Sequence, residues 1–284
     1  MPDDQALWNN SVYGIEKKQF PYMLAITNLL LHGIDNPNID HGNSLLHDVL
    51  DYTERDKFDK ILMNPPYGGS EKKDVMSHFP DDLADSETAD LFMSVILYRL
   101  KANGRAAVVL PDGFLFGTDN TKVNIKKKLM AECDLVLATG AFGLTKAAYS
   151  SGTPAYTSIT TNILFFDRTH PTEKTWFYRL DMPEGYKHFS KTKPMRLEHF
   201  DPVKAWWDDR REILEGDFPK AKCYTTDEIA AGGYNLDLCG FPHEEEEILE
   251  PMELIQKYQE QRKSLNDDID KILARITAKL EETE

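Results

Sequence analysis

Two consecutive prolines placed directly after a strand-like run constrain this chain more than any other feature. Lys57–Met63 reads KFDKILM and runs straight into Asn64-Pro65-Pro66-Tyr67. A proline fixes φ and has no backbone N–H, so neither residue can extend a hydrogen-bonded ladder. The strand has to stop at Asn64, and the tetrapeptide forms a rigid turn at its C-terminal end. A match to (Asn/Asp/Ser)-Pro-Pro-aromatic arises by chance in roughly 1% of chains of this length on average composition. A stiff turn is the plain structural use of such a segment; its chemical use is taken up below.

Around this turn, short apolar runs alternate with helical patterns. Ser11–Glu16 reads as a strand, and Lys17–Gly33 as a helix with Pro21 in its first turn and Gly33 as its stop. Residues 42–46 read as a short strand or a strand end. Leu91–Leu100 and Val123–Met130 read as helices, and Arg105–Leu110 as a buried strand ended by Pro111. Residues 134–139 and Thr161–Arg168 give two further strands. The alternation over residues 1–170 predicts a largely parallel sheet covered by helices. Gly68–Asp85 is rich in charge and lacks an apolar period, so it reads either as a mobile lid or as a plain surface excursion.

Composition narrows the function classes. The 284 residues carry 33 Lys+Arg against 48 Asp+Glu, a formal net charge of −15. Affinity for phosphate backbones rests on Lys and Arg, so a partner is expected to supply much of any grip on nucleic acid. Lys187, Lys191, Lys193 and Arg196 form a local basic stretch. Cys133, Cys223 and Cys239 are odd in number and widely spaced, which suits neither a disulfide framework nor a metal site. No apolar run reaches the ~20 residues that cross a bilayer, and the first ten residues lack the pattern of a secretory signal. A cytoplasmic protein without a bound metal is expected.

The prolines and their flanks suit methylation of a planar nitrogen. An exocyclic or amide nitrogen has a delocalised lone pair and is a poor nucleophile. Two acceptors at its N–H groups favour a pyramidal nitrogen whose lone pair points at an electrophile. Asn64 offers a side-chain carbonyl and Pro65 a backbone carbonyl; Pro65 and Pro66 hold both rigidly, and rate depends on such placement. Tyr67 supplies a ring for stacking a base taken out of its duplex.

With these residues in view, the chain resembles the modification (methyltransferase) subunits of type I restriction-modification systems, a family of N6-adenine DNA methylases. The resemblance is carried, in order, by YGIEKKQFPYMLAITNLLLHGI, GNSLL, FDKILMNPPYGGS, LKANGRAAVVLPDGFLF, TNILFFDR, FSKTKPMRLEHF and GGYNLDL. It implies a doubly wound, mostly parallel α/β sheet of the S-adenosylmethionine-dependent type, with an antiparallel hairpin involving Thr161–Phe166 at one edge. It implies S-adenosylmethionine as cofactor, with Glu16 accepting from the ribose hydroxyls and Asn43 and Ser44 near its adenine. Relatives often carry Asp where Asn43 stands.

The family also has a first strand and a glycine-rich cofactor loop ahead of the GIEKK segment. Here only fifteen residues precede Glu16, and MPDDQALWNN has no glycine. The expectation is a C-terminal portion of such a subunit, with an open position between the strands of Val12 and Ile61 and a separate chain supplying the loop. Residues 1–200 are expected to form the partial catalytic domain and 201–284 a C-terminal extension. Tyr258, Leu265, Ile269, Ile272 and Ile276 step at helical spacing in that extension, broken once by Arg262. Such a stripe is either one face of a solvated helix or a seam for a partner helix. The resemblance makes that partner the specificity subunit, with DNA and the restriction subunit joining through the complex. Two alternatives stand beside adenine methylation: an inactive chain that serves assembly only, and a methyltransferase for protein glutamine or RNA guanine.

Overall fold

The computed structural model of the chain describes residues 7, 9–150, 153–184, 186, 189, 193–239 and 251–281. Two parallel strands, β1 (Tyr13–Glu16) and β2 (Asn38–His41), flank helix α1 (Gln19–Leu31). Gly33, with φ 83°, ends the helix as its sequence position predicts. The short strand or strand end expected around residues 42–46 is the end of β2, whose pairing stops at His41 before Gly42–Leu46 turns away.

The main sheet begins with β3 (Phe58–Met63), followed by helices α2 (Lys73–Met76) and α3 (Thr88–Arg99). Then come β4 (Leu100–Pro111), α4 (Asp112–Phe116), α5 (Asn120–Glu132), β5 (Asp134–Ser150) and β6 (Thr153–Asp167). The sheet continues with β7 (Lys174–Leu180), α6 (Asp201–Asp208), β8 (Ile213–Glu215) and β9 (Phe218–Thr225), and α7 (Thr226–Ala231) follows. Its order is β3-β4-β6-β5-β7-β9-β8, with five of the seven strands running one way and β6 and β9 against them. This is the α/β architecture the sequence implies. The β5–β6 hairpin, however, is interior. β7, β9 and β8 extend the sheet beyond it, so Thr161–Phe166 pairs with β4 on one side and β5 on the other.

The main core packs α3 and α5 on the sheet. Met93, Ile96, Leu97, Ile125 and Leu129 are buried against Val108, Leu110, Leu164 and Phe166. Fully burying each such side chain contributes about 1.5–3 kcal/mol. α5 starts where Asp119 accepts from the Lys122 N–H at 2.9 Å, a side-chain cap of the preferred kind. A smaller cluster joins Leu45, Val49, Leu91 and Val95 to Val75 and Phe79. Leu83 joins the main core. The charged Gly68–Asp85 segment is thus anchored by three buried apolar side chains rather than being a free excursion.

By contrast, α1 buries none of its residues, and Phe20, Met23, Leu24 and Leu31 are all exposed. No hydrogen-bonded pairing joins β1–β2 to the main sheet, where β3 is an edge strand. The two sheets do meet at the starts of β1 and β3, where the rings of Tyr13 and Phe58 lie 5.6 Å apart.

The chain divides into two compact units, Met1–Phe241 and Pro242–Glu284. Residues 201–239 belong with the sheet because β8 and β9 extend it and Ile229, Leu236 and Cys239 enter the core. The second unit contains one long helix, α8 (Pro251–Glu281). Its Tyr258, Leu265, Ile269 and Ile272 are exposed; the side chain of Ile276 lies outside the described residues. Among the described residues, no helix is long and apolar enough to cross a membrane.

Candidate active site

β3 and β4 run parallel in a register that pairs Met63 with Val108. Continued by one residue, that register sets Asn64 beside Val109, and β4 runs on to Pro111 before Asp112. Pro65 is buried and Asn64 exposed, so the turn is seated on the protein while its carboxamide meets solvent. The Tyr67 hydroxyl donates to Asn64 Oδ1 at 2.6 Å, with the Val109 carbonyl of β4 at 3.1 Å as a second acceptor. Burial pushes the Tyr67 phenol up to about 12, which keeps it protonated.

The exit from the turn has its own requirement. Gly68 adopts φ +64°, where a side chain is strained. A Cβ on Gly69 would sit 2.5 Å from Thr88 Oγ1. That close approach lets the Thr88 N–H reach the Gly69 carbonyl at 3.1 Å, and the Glu71 N–H reaches the Ser86 carbonyl at 2.8 Å. Both ends of the Gly69–Thr88 excursion are thereby tied together at the start of α3.

Behind this closure stands a charge cluster that sequence reasoning missed. Lys122 Nζ lies 2.7 Å from Glu87, 2.9 Å from Asp90 and 3.2 Å from Asp119. Asp90 is fully buried within α3, and burial pushes its carboxyl up to about 7 despite the lysine. Burial pulls Lys122 the other way, but its bonds to Glu87 and Asp90 outweigh that and raise it. Carboxylate oxygens of Asp85, Asp90 and Asp119 also approach within 4.8 Å of one another. The cation among Glu87, Asp90 and Asp119 is the lysine ammonium itself. A lone acid in the apolar run TADLFMSVILY was the available signal.

On the other side of β4, Asn162 Nδ2 donates to Asp112 Oδ1 at 2.7 Å, tying the Pro111-Asp112-Gly113 turn to β6. Next to it, Lys126 is fully buried in α5 and donates to the Leu115 and Gly117 carbonyls at 3.0 and 2.8 Å. Burial lowers its pKa to about 8.

The three residues expected at the cofactor gather at the ends of β1 and β2. Glu16 is the last residue of β1, opposite His41, and its carbonyl accepts the Gly42 N–H at 3.1 Å. Its carboxylate accepts the Lys18 N–H at 2.7 Å, and half-buried Asn43 accepts the Leu45 N–H through Oδ1 at 3.1 Å. Ser44 follows directly and is half-buried. A carboxylate at a strand end beside an amide and a hydroxyl fits the hydroxyls and ring edge of a nucleoside.

Two clefts of about 370 and 520 Å³ are lined by Arg105, Asp134, Asp167 and Arg210, and by Leu197, Phe200 and Trp207, respectively. Neither is lined by Asn64 or Glu16. Of the basic stretch, Lys193 and Arg196 are exposed, while Lys187 and Lys191 lie outside the described residues. Cys133 and Cys239 are buried, which pushes both thiols up to about 12.

The profile of the family described as N-6 DNA methylase matches residues 3–248. The chain is 39% identical over 273 residues to the type I restriction enzyme EcoEI methylase subunit of Escherichia coli, covering 93% of this chain and 53% of that one. It is 32% identical over 211 residues to the EcoKI methylase subunit of E. coli K12, covering 67% and 36%. Among solved structures, a modification subunit assigned to a type I restriction enzyme of Vibrio vulnificus YJ016 superposes with TM-score 0.70 and 38% identity, covering 81% of this chain and 46% of that one. The chain thus spans about half the length of its E. coli EcoEI relative.

Proposed function

The chain belongs to the N-6 DNA methylase family, and from that premise we propose that it works as the catalytic part of a type I modification assembly, methylating adenine N6 in duplex DNA. The observation that carries the reading is Asn64-Pro65-Pro66-Tyr67 at the end of β3, with an exposed carboxamide held beside an aromatic ring.

The target base leaves the duplex and stacks on Tyr67, a contact worth about 1–3 kcal/mol. Asn64 Oδ1 accepts one amino N–H, and the Pro65 carbonyl accepts the other. These two bonds strengthen as the nitrogen becomes pyramidal, so they act on the transition state more than on the bound base. S-adenosylmethionine supplies the methyl group from its sulfonium, and Glu16, Asn43 and Ser44 hold its nucleoside half. The methylated nitrogen is acidic enough to release its proton to water.

Target choice is delegated. A net charge of −15 suits a subunit that reaches DNA inside a complex. We assign the exposed stripe of α8 to a helix of the specificity subunit, with Tyr258 and Leu265 as anchors, the restriction subunit joining the same assembly. We assign the exposed apolar face of α1 and the edge of β3 to contact with a further polypeptide segment.

The test is methyl transfer by the assembly purified from its source, using DNA and tritiated S-adenosylmethionine. Label in N6-methyladenine that falls at least a hundredfold with Asn64→Ala, while DNA affinity holds, supports the reading. Unchanged labelling in that variant rejects it. An assembly that neither binds nor transfers the label is an assembly factor instead.

A further inference from the structure

We propose that the acid-free segment 185–197 is this chain's own contact with the DNA backbone, with Lys193 and Arg196 gripping phosphates about five or six nucleotides from the target base. This rests on the methylation reading and adds to it where the duplex lies.

The chain carries 48 acids against 33 bases, yet no acid stands between Glu184 and Glu198, where Lys187, Lys191, Lys193 and Arg196 occur. On an acidic surface such a stretch is a favourable approach for a phosphate backbone. The segment is also anchored. Phe189 is buried, with its ring 5.7 Å from that of Tyr186 and 5.1 Å from that of His199. Met195 packs against the cluster of Tyr178, Leu180, Val203 and Trp206. Lys193 Nζ lies over the Tyr186 ring at 5.0 Å, and the Arg196 N–H donates to His199 Nδ1 at 3.0 Å.

Both cations are nevertheless exposed. The guanidinium of Arg196 stands 3.8 Å from Glu198 with both side chains 63% exposed, a pair weak enough for a phosphate to displace. A guanidinium also matches two phosphate oxygens at once, whereas the lysine acts as a point charge.

Strand direction places the segment at the same end of the sheet as Asn64. β4 runs parallel to β3, β5 runs parallel to β4 because β6 opposes both, and β7 runs parallel to β5. The C-terminal ends of β3 and β7 therefore face the same way, one leading into Asn64 and the other into Asp181. They lie four places apart in the sheet, about 19 Å at ~4.8 Å a step. Successive nucleotides on one strand of B-DNA are about 3.4 Å apart. A duplex that runs along these ends while its target base reaches Tyr67 thus meets the basic segment about five or six nucleotides away.

The test is the salt dependence of duplex binding by the purified assembly, which needs no methyl transfer. Two lost phosphate contacts should lower the slope of log affinity against log salt by about 1.8 in Lys193→Gln/Arg196→Gln, with affinity about tenfold weaker at low salt. Lys193→Arg/Arg196→Lys keeps both charges and should bind as the wild type does. Lys101→Gln/Lys174→Gln removes the same charge from the N-terminal ends of β4 and β7, at the opposite end of the sheet, and should leave the slope unchanged.

A slope within about 0.5 of the wild type in the Gln pair, or an equal drop in the control pair, overturns the proposal. Loss of a subunit on purification of the Gln pair does so too, since the segment then meets a protein. An active Asn64→Ala beside the expected slopes overturns the role of the turn and leaves the backbone contact standing. An assembly with no affinity for duplex DNA overturns both.

Discussion

Lys122→Met tests whether the charge cluster near the Asn64–Tyr67 turn holds the fold together. The substitution keeps most of the apolar stem and deletes an ammonium that reaches Glu87, Asp90 and Asp119. Glu87 and Asp119 have side-chain exposures of 33% and 46%, so water replaces much of what they lose; Asp90, at 0%, has no such recourse. Its carboxyl already sits at about 7 with the lysine present, against an ordinary 3.8. A folded-state pKa above the unfolded one means that the folded form holds the extra proton. The associated stability is full below pH 4 and is lost as pH rises toward 7 in the wild type. Without Lys122 the carboxyl rises further, so the variant keeps losing stability above pH 7, where the wild type has levelled off.

The expected cost is about 1.5–3 kcal/mol at pH 6, where Asp90 carries a proton and one charge-assisted contact is lost. It should grow by up to about 1.4 kcal/mol per pH unit above 7, reaching about 3–5 kcal/mol at pH 8.5. Urea unfolding followed by the fluorescence of Trp176 and Trp206, both in the sheet unit, measures it. Adding Asp90→Asn should abolish the slope and return part of the loss at pH 8.5. A cost below about 1 kcal/mol at pH 8.5, or a slope that persists in the double variant, would refute the reasoning.

Three further expectations follow from other parts of the chain. The lowered pKa of buried Lys126, about 8, means that the folded form gives up its proton before the unfolded one does; stability should therefore rise from pH 7.5 to 9.5 by about 2 kcal/mol relative to Lys126→Met, and parallel curves in urea would count against it. Leu62 is 84% exposed on the free edge of β3, so Leu62→Lys should leave stability within about 0.5 kcal/mol while lowering self-association in light scattering; a large loss of stability would mean that the side chain is packed. Deleting residues 252–284 should abolish co-purification with the specificity subunit while circular dichroism of the remaining unit persists; retained binding would leave α8 a solvated helix.

The sheet was legible where local signals and tertiary packing agree. Lys57–Met63, Arg105–Leu110 and the helix stopped by Gly33 were readable because prolines, a glycine and unbroken apolar runs punctuate them. β7 and β9 were not, because Arg179 and Lys220 interrupt them with charges that only the fold neutralises. Buried Arg179 pairs with Asp181 and Glu215, and Lys220 joins the same two acids. A pattern of alternating burial cannot be recognised when its buried members are charged. The same blindness placed the Thr161–Phe166 hairpin at an edge, since β7 and β9, which extend the sheet beyond β5, had gone unread.

The site divides along a similar line. Asn64-Pro65-Pro66-Tyr67 was visible because its chemistry is contiguous in sequence. Val109, Asp112 and Lys122 were hidden because each contributes across a strand or helix boundary, through a carbonyl, a turn and an ammonium that leave no spacing to read. Positions 64 and 109 are 45 residues apart in the chain, yet the parallel register brings them side by side. That register also explains why a tyrosine closes the tetrapeptide usefully. A phenylalanine would stack a base as well, but only a phenol spans from the β4 carbonyl to the Asn64 amide. The ring is legible as a candidate platform from sequence alone, while the contacts of its hydroxyl become apparent only once the neighbouring strand is in place.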